Sequence, residues 1–82
     1  MPYNKTFVFL YKLHPQILIQ VKEKIKQLIA EHLIRQAQLK LMLNNLNTIG
    51  SLTDDYQNRI LDEIMEIDKS VMKLREILKI IE

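Results

Sequence analysis

The sequence predicts an all-α chain: an antiparallel, coiled-coil-like helical hairpin that assembles into a four-helix bundle, as a dimer or with partner subunits. Three observations carry this reading. Apolar residues recur at alternating spacings of three and four in both halves of the chain, which is the signature of a helix seam. Turn-forming residues gather at one internal point, Asn47-Thr48-Ile49-Gly50-Ser51, and a short connection makes its two helices antiparallel neighbours. Each half also carries more apolar positions than one seam consumes. With 82 residues, 48% of them hydrophobic, one Gly and two Pro, the chain reads as one ordered domain with too little turn chemistry for an all-β fold. It has no cysteine, so no disulfide or thiolate metal site can staple so small a core.

Residues 1–14 form an apolar N-terminal segment. Its stretch Phe7-Val8-Phe9-Leu10-Tyr11 is far too short for a membrane span. Lys12 and His14-Pro15 interrupt it as a signal peptide, and no small-residue cleavage site follows. Three conformations stay open: a lid over the far end of the hairpin, a strand paired with another chain, or a further turn of helix. Phe7 and Phe9 are its candidate contact residues.

The first helix is expected over 15–48. Pro15 suits a first helical turn and pushes His14 out of the α region. Its seam reads Leu18, Val21, Ile25, Leu28, His32, Arg35, Leu39, Met42, Leu46 and Ile49. Gly50 closes it in a left-handed conformation, within a turn at 49–51. Ser51, with Asp54 three residues on, reads as a capping box. The second helix follows over 52–81, and Asp54 and Asp55 sit favourably at its N-terminus. Its seam is the clearest pattern in the chain: Ile60, Ile64, Ile67, Val71, Leu74, Leu78 and Ile81. Antiparallel pairing about this turn makes positions whose numbers total about 102 face each other. Leu39 then meets Ile64, and Met42 meets Ile60.

Two polar residues, His32 and Arg35, fall in the middle of the first seam, and Asp68 lies across from Arg35 in this register. An Arg35–Asp68 ion pair is therefore expected, fixing register and partner choice. The functional alternative is a proton-responsive site built on His32. Beside the seams lie Ile29, Leu33, Ile34, Ala37 and Leu41 on the first helix. Leu61, Met65, Met72, Ile77 and Ile80 do the same on the second. Left uncovered, these would make a larger apolar patch than monomers usually carry. Leu33, Ile34, Ala37, Leu41, Met65 and Met72 are the candidate interaction surface, the methionines suiting an adaptable one.

Charge divides along the chain. Residues 1–48 hold seven basic side chains against two acids, a net of +5, and residues 49–82 hold five against eight, a net of −3. The split supports either a basic helix lying against an acidic one or a nucleic-acid-binding first half. The lysines share no single stripe, and no aromatic residue interleaves with them as a stacking platform would. A basic, apolar N-terminal stretch also suits a membrane surface, but Pro15 interrupts it and the same residues are needed to complete the core.

Catalytic chemistry finds no foothold. Ser51 and Ser70 have no histidine at hand, and no glycine-rich loop exists to cradle phosphates. Asp62, Glu63 and Glu66 lack the Glu-x-x-His partners of a di-metal bundle, and Asp62 and Glu66 share an exposed, salt-laced face with Arg59, Lys69, Lys73 and Glu76. The expectation is a non-enzymatic protein-interaction module: a small helical subunit, adaptor or regulator, without cofactor, metal or small-molecule substrate. Its expected partner is itself or another helical protein, in the cytoplasm. The alternative is a small nucleic-acid-binding regulator using the basic first helix.

Overall fold

A computed structural model describes residues 15–82, so the expectations for residues 1–14, including contacts made by Phe7 and Phe9, lie outside the described residues. The described chain is an all-α hairpin. Helix α1 runs Pro15–Thr48 and helix α2 runs Asp54–Ile81. The two pack against each other.

The turn is built from two caps that share no residue. At the end of α1, the Ser51 N–H donates to the Leu46 carbonyl at 3.0 Å and the Gly50 N–H donates to the Asn47 carbonyl at 3.2 Å. These are the paired bonds of a Schellman motif, which needs a left-handed residue at its centre. Gly50 supplies it, with φ of 74°. At the start of α2 the cap is Thr53, not Ser51. Its backbone is extended, and its side-chain oxygen accepts from the Tyr56 N–H at 3.2 Å. The expected Ser51–Asp54 capping box does not form, because the Ser51 backbone is already committed to closing α1. Helix α2 therefore opens two residues later than the sequence pattern suggested. Asp54 and Asp55 still fall in its first turn, where carboxylates complement the helix dipole.

The α2 seam packs as its spacing predicts. Ile60, Ile64, Ile67 and Val71 are buried, and Leu74, Leu78 and Ile81 are half-buried. Against them α1 sets Leu39, only 1% exposed, with Ile29, Met42, Leu43 and Leu46 partly buried around it. The α1 seam differs in phase from the expected one. Ile25, His32, Leu39 and Leu46 lie on it as expected, but between them the inward positions are Ile29 and Gln36 rather than Leu28 and Arg35 alone. Gln36 is buried at 6% exposure, while Arg35 is exposed. Both readings are heptad repeats through the same four residues, seven apart; packing selects the one that lets Arg35 reach water along its own apolar stem.

Two helices side by side make a thin body. The Cα radius of gyration is 18.1 Å and the principal extents are 56 × 28 × 13 Å, whereas a compact domain of this size has a radius of about 11–12 Å. The exposed surface is 6641 Å². The hairpin has one internal seam.

Candidate interaction surface

Polar contacts between the helices mark two opposite faces of the hairpin. On one, Arg35 donates from Nη2 and Nε to the same Glu63 oxygen, at 3.1 and 3.3 Å. Both side chains are about half exposed, so the pair contributes about 0–1 kcal/mol. On the other, Gln36 donates from Nε2 to Asp68 Oδ1 at 2.6 Å and to the Ile64 carbonyl at 3.2 Å. The expected Arg35–Asp68 pair is thus replaced by two contacts. Arg35 and Gln36 lie 100° apart on the helix, so only one of them can point to the side where Asp68 stands. Gln36 takes that place, and its donors satisfy a carboxylate and a backbone carbonyl that cross the seam.

His32 sits half-buried at the seam's edge, and its Nδ1 lies 2.7 Å from the Leu28 carbonyl. A carbonyl only accepts, so Nδ1 carries the proton and donates. With Glu31, Arg35, Glu63 and Ile67, His32 lines a shallow open groove on the Arg35–Glu63 face. A neighbouring groove on the same face runs past Met42, Tyr56 and Arg59. This face is polar and laced with ion pairs, as is the back of α2, where Lys69 meets Glu66 at 3.3 Å and Arg59 meets Asp55 at 3.1 Å. Among the described residues no group of three potential ligands is placed to hold a metal ion, and no helix is long and apolar enough to cross a membrane.

The apolar candidates are distributed over two other stripes. On α1, Ala30, Ile34, Ala37 and Leu41 follow the 4-3-4 spacing of a second seam. They lie roughly opposite the seam that packs on α2. All four are exposed, Ile34 at 59% and Leu41 at 60%. On α2, Leu61, Met65, Asp68 and Met72 share one stripe with the same spacing, Met65 and Met72 being 56% and 62% exposed. Leu33, with Gln36 three residues on, leans from α1 towards that same side. Ile29 leaves the flank assigned to it from sequence and packs against the core. Leu33, Ile34, Ala37 and Leu41 on α1 and Met65 and Met72 on α2 are all exposed. The structure gives an outer seam on α1 and a methionine-bearing stripe on α2, with the Gln36–Asp68 contact between them.

Sequence reasoning missed Gln36, the one polar side chain that is buried among the described residues. Its signal was the alternative heptad Ile25, Ile29, His32, Gln36, Leu39, Leu43 and Leu46, which fits the 4-3 spacing as well as the first. No protein-family model matches the chain, and no curated protein or solved structure shows significant similarity to it.

Proposed function

We propose that this hairpin is a non-catalytic protein-interaction module, a small subunit, adaptor or regulator that works by packing helix against helix. One observation carries the reading: Ile34 and Leu41 on the outer seam of α1 and Met65 and Met72 on the outer stripe of α2 each stand more than half exposed. Ile34, Leu41, Met65 and Met72 are too regularly spaced and too apolar for a face that evolved only to meet water. Covering them with other helices completes a bundle, four helices if the partner is another hairpin. Partner and hairpin then share a core that neither builds alone.

Light scattering on a sizing column, with thermal melts followed by circular dichroism at two protein concentrations, tests this. A discrete dimer or higher species whose melting temperature rises with concentration is the expected result, because association stabilises the folded chain by mass action. A monomer with helical signal and a broad, shallow melt would point to a different protein as the partner, still within this reading. A monomer that melts sharply, at one temperature regardless of concentration, would overturn it.

A further inference from the structure

We infer that the outer seam of α1 is covered by α1 of a second copy, laid antiparallel about a twofold axis that passes between residues 35 and 36. This deepens the interaction-module reading and rests on it. The first support is self-complementarity. Reversing α1 about that point sets Leu41 over Ala30 of the second copy, and Ile34 over its Ala37. Each large side chain falls on a small one, so the helices approach closely and leave no gap. A parallel arrangement would instead stack Leu41 on Leu41 and Ile34 on Ile34, with alanine facing alanine between them. A twofold contact requires a patch that fits itself in this way.

Charge separates the same two arrangements. The basic part of α1 is its first third, where Lys22, Lys24 and Lys26 outnumber Glu23, while its last turns, Leu41–Thr48, carry no charged residue and no basic residue stands in the final one. The antiparallel pair lays those lysines along the uncharged C-terminal third of the other α1. They thereby supply the cations that a helix C-terminus favours. A parallel pair would bring two net-positive segments together.

The outer seam is exposed throughout, Ile34 at 59% and Leu41 at 60%. The methionine-bearing stripe of α2 is exposed too, but Asp68 interrupts it, and an apolar contact between copies there would have to desolvate a carboxylate. The resulting assembly has the two α1 helices at its centre and the two α2 helices outside, which leaves Met65 and Met72 uncovered.

The chain has no cysteine, so a single Ser51→Cys substitution in the exposed turn takes one spin label per copy. In the antiparallel dimer the two labels stand about 45 Å apart, from the helical rise over twice the distance to the axis. Labels within about 20 Å would show turns at the same end, since packed helices lie 8–10 Å apart, and would overturn the inference. Ala37→Glu buries two unpaired carboxylates per dimer and should raise its dissociation constant at least about 100-fold. Met65→Glu with Met72→Glu should leave it within about threefold. Helical circular dichroism of each variant confirms that the hairpin itself persists. Should Ala37→Glu lose that signal, Ile34→Gln takes its place, with the label distance as an independent readout. A dimer that survives the α1 substitution and is broken by the α2 pair would overturn the inference while sparing the proposed function. A monomeric wild-type chain would also overturn it, and the shape of its melt then decides the proposed function separately.

Discussion

Gln36 decides the register of this hairpin. It is buried, its amide donates to Asp68 and to the Ile64 carbonyl, and sliding α1 by one turn would strand that amide against isoleucine side chains. A buried polar group without a partner costs far more than a satisfied one contributes, so such a residue discriminates against wrong pairings. Arg35, one position earlier, does the opposite: it meets Glu63 in half-exposed surroundings, where water competes for both charges. Gln36→Ala should therefore lower stability by about 2 kcal/mol, through the lost bonds and the space left behind. Arg35→Ala should change it by less than about 1 kcal/mol. Urea midpoints of the two variants check this, and similar losses would show that the exposed ion pair carries more of the register than its surroundings allow. Sequence alone favoured Arg35 as the seam residue because two heptads share Ile25, His32, Leu39 and Leu46. Only the position of Asp68 and the Ile64 carbonyl across the seam separates them.

At the scale of the elements, the helices are written plainly and their junction less so. The α2 seam could be read residue by residue, because one spacing fits and no other competes. Gly50 was legible too, being the one glycine in the chain, and it takes the left-handed conformation that closes α1. The cap of α2 was not, since Ser51 and Thr53 both precede the aspartates and both have a suitable hydroxyl. What excludes Ser51 is a backbone bond to Leu46 that belongs to the preceding helix. A Cβ at position 50 would meet nothing within 4 Å, so Gly50→Ala costs only the left-handed backbone, about 1–2 kcal/mol. Gly50→Asn should recover part of that loss, because asparagine tolerates the same conformation. Equal thermal shifts for the two variants would place the cost in packing instead.

For the whole molecule, basic α1 and acidic α2 lie side by side, so the charge division seen along the chain is offset in part across the hairpin. Arg35 of α1 is paired with Glu63 of α2, while Lys26 is paired with Glu23 within α1. A nucleic-acid-binding use of α1 needs a positive surface that survives this neighbour. The hairpin is expected to leave heparin at or below about physiological salt, because the acidic side chains of α2 lie beside the basic ones of α1 and weaken the positive field. Elution well above that, with a steep salt dependence, would restore the nucleic-acid reading and weaken the one proposed above.

The sequence by itself determined that this protein is a helical hairpin, where its turn lies, and that its apolar surface exceeds what one seam can hide. Those properties follow from local periodicity and from where a glycine can sit, which a chain declares without knowing its neighbours. The tertiary structure decided which of two overlapping heptads faces inward, which carboxylate meets Arg35, and how the surplus apolar residues divide between the outer seam of α1 and the methionine stripe of α2. These depend on the angle at which each side chain leaves its helix relative to the other helix. A difference of 100° between adjacent residues is invisible until both helices are in place.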